Sequence, residues 1–183
     1  LNGRELTKLS ASERSRFLGY VFQQADRQLF CTTVYDEIAF GPLEQGRDKV
    51  ETREKAEAAL KLCGLEEERD AYPPLLSRAK KQRVALASAV ALGAEFLILD
   101  EPTSGISPAD IRRLMQIVTK LTAAGLGIIL VTHAPDVVQR YAQRVVMLAD
   151  GRVVYNGEPQ QFLASMYRDG RDVSHHTDDG GAQ

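Results

Sequence analysis

The sequence predicts an α/β fold with a helical lobe set into a parallel sheet. Two apolar runs lack any polar alternation, FLILD at 96–100 and GIILV at 127–131. Such runs read as strands covered on both faces. A capped amphipathic helix pattern lies between them, and strand–helix alternation through 95–149 argues for a parallel sheet. Residues 32–92 are mainly helical in pattern and interrupt that core.

The elements follow in order. Leu18–Phe22 is a short apolar strand. Thr32 or Thr33 caps a helix through VYDEIAFGP that Gly41-Pro42 stops. Residues 49–63 are rich in helix formers with one apolar face, closed by Gly64. AYPPLL is a rigid connector, and Ser77 caps a helix over about 78–92 that ends at Gly93. Ser107 as cap, Pro108 at the first helical position and Asp110 open the next helix. Its stripe is Ile111, Leu114, Met115, Val118 and Leu121, and Gly125 ends it. A short helix at 135–142 follows, then strands near 144–149 and 152–156 joined at Asp150-Gly151, and a last helix over about 158–166. The predicted division is a helical subdomain at about 32–92 within an α/β core of 1–31 and 93–167. Residues 168–183 are polar and Gly-rich, and are expected to be disordered.

Composition narrows the function classes. The 183 residues are 44% hydrophobic and 26% charged, as in an ordinary globular domain. The net charge of −2 gives no general attraction to nucleic acid or anionic lipid. Cys31 and Cys63 form neither a CxxC pair nor a disulfide framework, which fits a reducing compartment. No membrane span is read, and the opening residues LNGRELTKLS show no signal peptide. The chain starts with Leu1 and not Met, as a fragment would or as a chain whose initiator has been left out.

Three places carry chemistry. FLILDEPTSG ends an apolar strand in Asp100 and Glu101, at the sheet edge where open α/β sheets bind ligands. An Asp there can hold Mg²⁺ through water and the adjacent Glu can polarise an attacking water, where the plainer reading is an acidic turn after a strand. IILVTH puts His133 at the end of the next strand, within reach of a γ-phosphate or that water. YVFQQADRQLF puts Gln23 or Gln24 just past an earlier strand, where an amide reaches metal or water.

Together these segments resemble the nucleotide-binding domain of ABC transporters, over about residues 1–166. YVFQ looks like the Q-loop, with Gln23 as its glutamine. LSRAKKQRVALA stands where the LSGGQ signature opens its helix. FLILDE looks like Walker B, TSGIS sits at the D-loop, and VTH carries the switch histidine. QQADRQLFCTTVYDEIAFGP resembles the energy-coupling factor group of cobalt, nickel and vitamin importers. The resemblance implies a P-loop NTPase-like core and ATP with Mg²⁺ as ligands. Asp100 and Gln23 would stand on the metal side, with Glu101 as catalytic base and His133 beside the transferred phosphate. Ser77, Arg78 and Ser104 would face nucleotide across a dimer. It also implies a second ATPase subunit, homo- or heterodimeric, integral membrane subunits, no nucleic acid, and a cytoplasmic place on the inner face of the membrane.

Three features depart from that pattern. None of the lysines 8, 49, 55, 61, 80, 81 and 120 precedes Ser or Thr, so the phosphate loop GxxxxGK[ST] is absent. LNGREL looks like the segment that follows it. The phosphate-loop strand would lie between the strand before His133 and the one at 144–149. Its absence predicts either weak stability or re-pairing of 144–149. Arg78 and Ala79 replace the signature glycines, Lys80 its glutamine, and Ser107 an expected Asp. The implied function is the ATP-hydrolysing subunit of an importer for metal ions or vitamins, with this chain alone unable to bind ATP tightly or hydrolyse it. The alternative is a degenerate, non-catalytic module that supports a partner ATPase.

Overall fold

The computed structural model describes residues 5–168. The tail expected to be disordered lies, apart from Arg168, outside them. The chain divides after Val131 into two compact units.

In the first unit, Ser10 caps α1 (Ala11–Ser15) through a capping box with Glu13. β1 (Leu18–Val21), β2 (Phe96–Asp100) and β3 (Gly127–Val131) form a parallel sheet in that order. The register is continuous, with Tyr20 beside Ile98 and Ile98 beside Ile129. Between β1 and β2 come α2 (Val34–Glu44), α3 (Lys49–Cys63) and α4 (Arg78–Ala91), which pack on one another. α5 (Pro108–Ala123) joins β2 to β3. Helix starts follow the capping rules: Thr33, Asp48, Ser77 and Ser107 each accept a backbone N–H from the first turn.

α2 does not stop at Gly41-Pro42. It runs through Pro42 to Glu44. Pro42 lies in the last turn, so its missing N–H and ring cost the helix little length, and the Gln45 N–H still closes on the Gly41 carbonyl at 3.0 Å. AYPPLL contains a 3₁₀ turn at Pro73–Leu75.

The two faces of the sheet differ. Gly19, Val21, Leu97 and Leu99 are buried, and α4 packs against β1 on this side. Gly19 permits the approach: a Cβ there would lie 2.5 Å from Leu97 Cδ2 and 3.4 Å from the Ala89 carbonyl oxygen. The opposite face carries Tyr20, Ile98, Asp100, Ile129 and Val131, with Ile129 54% and Val131 44% exposed. The expectation of strands covered on both faces is therefore met on one face only. No element of the first unit buries Ile129 or Val131.

The second unit contains α6 (Pro135–Tyr141), β4 (Val145–Ala149), β5 (Arg152–Gly157) and α7 (Pro159–Arg168). β4 and β5 form an antiparallel hairpin. Asp150 (φ 48°) and Gly151 (φ 72°) supply the two left-handed positions its tight turn requires. α7 packs on β5 and α6, and the Tyr155 and Phe162 rings lie 5.3 Å apart. Re-pairing of 144–149 does not occur: β4 pairs with β5 alone, and the parallel sheet ends at β3 among the described residues.

Two outcomes are expected. Gly19→Ala forces Leu97 and α4 apart and destabilises the chain by about 1–3 kcal/mol, read as a lowered Tm by circular dichroism. Ile129→Thr with Val131→Thr costs less than about 1 kcal/mol, since half-exposed side chains contribute little burial, and reduces aggregation measured by light scattering.

Candidate functional site

The site begins at the C-terminal edge of the sheet. β2 delivers Asp100 there, and the pairing of Val21 with Leu99 sets the exit of β1 beside it. The Tyr20 hydroxyl donates to Asp100 Oδ2 at 2.9 Å. That bond, with some desolvation, raises the tyrosine pKa above its ordinary value. Glu101, half-buried, takes a left-handed backbone (φ 46°). Such a residue is strained by roughly 1–3 kcal/mol and persists only where its surroundings hold it. Here the Glu101 N–H donates to the Val131 carbonyl at 2.9 Å, and the Ser104 N–H to the Glu101 carbonyl at 3.1 Å. Pro102 and Thr103 are buried beneath this turn.

Gln23 and Gln24 are both exposed, in the bend past β1. The loop from 22 to 33 is held at three places. Gln28 Oε1 accepts the Phe22 N–H (3.2 Å) while its Nε2 donates to the Tyr20 carbonyl (3.3 Å). Asp26, in a 3₁₀ turn at Ala25–Arg27, accepts from Lys81 Nζ at 2.6 Å. Glu37, buried in α2, accepts the N–H groups of Phe30 and Cys31 at 2.8 and 2.7 Å. Burial, then the Glu37 charge, pushes the Cys31 thiol up to about 11, and burial pushes Cys63 up to about 12.

The cations at the start of α4 invite a reading as ligands for an external phosphate. The structure gives three of them internal partners. Lys80 pairs with Glu68, Lys81 with Asp26, and buried Arg83 donates to the carbonyls of Cys63 (2.7 Å) and Gly64 (2.8 Å). Successive helix positions turn about 100°, so neighbouring cations reach different loops. Arg78 is exposed, and its side chain has no hydrogen bond or ion pair among the described residues. Its guanidinium lies on Gly105: a Cβ built there would sit 3.0 Å from Arg78 Cζ and 3.1 Å from Nε. Gly105 (φ 70°) belongs to the turn carrying Ser104, so the structure brings Arg78 to that turn. Ser77 caps α4 through the Lys80 N–H at 3.4 Å. Ser107, which departs from the expected Asp, caps α5 by accepting the Asp110 N–H at 3.2 Å.

His133 lies in the second unit and is exposed. Sequence reasoning missed Tyr20, Asp26, Gln28 and Glu37. Only Tyr20 left a signal, by its place on β1 two residues before Phe22 on the face that Asp100 shares.

Among the described residues no three His, Cys, Asp or Glu side chains gather into a metal site. The oxygens of Asp100 and Gln23 nevertheless suit Mg²⁺, which takes one or two protein ligands and fills its shell with water and phosphate oxygens. The phosphate cradle is not among the residues of this chain.

The family model described as "ABC transporter" matches residues 1–104. The chain belongs to the ABC transporter family. Within it, the chain is related to the ATP-binding proteins of energy-coupling factor transporters. It is 42% identical over 147 residues to the energy-coupling factor transporter ATP-binding protein EcfA2 of Mycoplasmopsis synoviae, covering 80% of this chain and 47% of that protein. It is 36% identical over 159 residues to EcfA of Methanocaldococcus jannaschii, covering 87% and 57%. The structure of CbiO1 from Clostridium perfringens, part of the ABC transporter complex CbiONQ, superposes with a TM-score of 0.77 at 35% identity, covering 82% of this chain and 60% of that one. A dimeric ATP-binding cassette in a post-hydrolysis state with ADP and Pi gives 0.76 at 26% identity, covering 87% and 72%. The chain spans between 27% and 63% of the length of the first curated relatives it matches. Family members use ATP and Mg²⁺. No helix among the described residues is long and apolar enough to cross a membrane.

Two measurements check the site. The raised Tyr20 pKa means that its bond to Asp100 contributes stability at pH below the unfolded value near 10 and loses it as pH rises through the higher folded value. Absorbance titration should show one tyrosine ionising later than in the unfolded chain, and Tyr20→Phe should remove that late step. With thiols at about 11 and 12, alkylation at pH 8 should be slow in the folded chain and fast in denaturant.

Proposed function

We propose that this chain belongs to an ATP-binding subunit of an energy-coupling factor importer for metal ions or vitamins. The observation that carries the reading is the edge of β2, where Asp100, Glu101 and the exit of β1 toward Gln23 converge. Asp100 and Gln23 would hold Mg²⁺, which supplies charge neutralisation on the phosphates when bound. Tyr20 keeps the Asp100 carboxylate aimed along the sheet edge. Glu101 takes the proton of the attacking water, on a backbone held in place by the Val131 carbonyl. His133 donates a hydrogen bond to the transferred phosphoryl group. Ser77, Arg78 and Ser104 face nucleotide held by a second ATPase subunit, homo- or heterodimeric.

Membrane partners would dock beside the Gln23 loop. Phe30 and Phe40 pack edge to face at 4.9 Å, both exposed, and Leu43 follows one turn along α2. The protein would then sit on the cytoplasmic face of the membrane, and nucleic acid has no part in the reading. Without a phosphate cradle, the 183 residues alone bind ATP weakly and do not turn it over.

The test has two arms. Calorimetric titration of the chain with Mg²⁺–ATP should show no tight binding. A fusion that adds the preceding segment of a relative should hydrolyse ATP, and Glu101→Gln should lower that turnover by about 10²-fold or more. Turnover by the unfused chain, abolished by Glu101→Gln, overturns the claim about the chain alone.

A second reading, a non-catalytic module supporting a partner ATPase, is favoured by Arg78 and Ala79 at the glycine positions. It expects an inactive fusion that Arg78→Gly with Ala79→Gly does not rescue.

A further inference from the structure

We infer that Lys81 is a positioning residue for the loop that carries Gln23, acting through Asp26. The inference takes its functional meaning from the metal-side role proposed for Gln23, but its geometry stands without it. Gln23 makes no hydrogen bond of its own among the described residues, so its place is set by what holds the loop on either side. On the β1 side Gln28 clasps Tyr20 and Phe22, and on the α2 side Glu37 clasps Phe30 and Cys31. Between these clamps, Ala25 is buried and Asp26 is the point where a side chain of α4 grips the loop.

The two partners are unequal. The Asp26 side chain is 65% exposed, on a single 3₁₀ turn. The Lys81 side chain is 15% exposed and rises from the second turn of a 14-residue helix, its N–H bonded to the Ser77 carbonyl at 2.9 Å. The helix is the anchor and the loop is the element held. A 2.6 Å ion pair with one partner largely buried is less screened than a fully exposed pair.

The same stretch of α4 reaches a second loop. Arg78, three residues before Lys81 and so on a neighbouring face of the helix, rests on Gly105 in the turn after Glu101. A shift of the α4 start therefore pulls the Gln23 loop and presses on the Ser104–Gly105 turn together. One rigid helix end links the two loops inside one subunit.

The test is amide hydrogen exchange on the 183-residue chain, comparing wild type with Lys81→Met, Lys81→Arg, Asp26→Asn and the swap Lys81→Glu with Asp26→Lys. Lys81→Met and Asp26→Asn should each speed exchange at residues 23–29 by about three- to fivefold, the effect of losing one partly shielded ion pair. Lys81→Arg and the swap should restore protection. Raised salt should speed exchange in the wild type and leave Lys81→Met unchanged. Exchange unchanged at 23–29, raised equally in α3 and β2, or not restored by the swap overturns the tether. The readout contains no nucleotide, so a failure of Gln23 to serve ATP leaves the result standing, and a failure of the tether leaves that role to the fusion assay.

Discussion

β2 is bonded in register on both sides, to β1 through Leu18–Val21 and to β3 through Gly127–Val131. Everything at the candidate site hangs from that double pairing. It fixes the level at which Asp100 emerges, brings Tyr20 to its carboxylate, and supplies the Val131 carbonyl that holds Glu101 in a backbone conformation most side chains avoid. A slip of one residue would invert every side chain of β2 and send Asp100 to the buried face. The buried row of Gly19, Val21, Leu97 and Leu99 forbids that slip, so core packing and site geometry are one constraint.

The helical segment between β1 and β2 serves the site from outside the sheet. Glu37 is a buried carboxylate spent on two backbone N–H groups of the loop, and the Glu37 carbonyl in turn accepts the Ser88 hydroxyl of α4 at 3.2 Å. α2, α4 and the loop are thus joined through one residue. Burying that charge is tolerable because the N–H donors meet it directly.

Much of this was legible in the sequence. Uninterrupted apolar runs located β2 and β3, and Ser and Thr caps, helix-former runs and closing glycines located the helices within a residue or two. The carboxylates at the end of β2 were readable because edge position follows from strand assignment alone. The partners were not. Asp26 and Lys81 are 55 residues apart, and nothing local to either announces the pair. The internal partners of the α4 cations were hidden for the same reason: they depend on where the chain places Glu68 and Asp26. Proline at 42 misled because its effect depends on distance from a helix end, which local pattern locates poorly. The open sheet face was hidden too, since hydrophobicity records what a strand can bury and not what covers it.

The contact of Arg78 with Gly105 ties two positions together. While an arginine occupies 78, a side chain at 105 requires the exposed guanidinium to move aside by a few tenths of an ångström, since a Cβ there would lie 3.0 Å from Arg78 Cζ. Where 78 is small, the left-handed backbone at 105 still selects, but it admits Asn or Asp beside Gly. Substitution at 105 therefore meets two demands that come from different segments, a left-handed backbone of its own and a shift of Arg78.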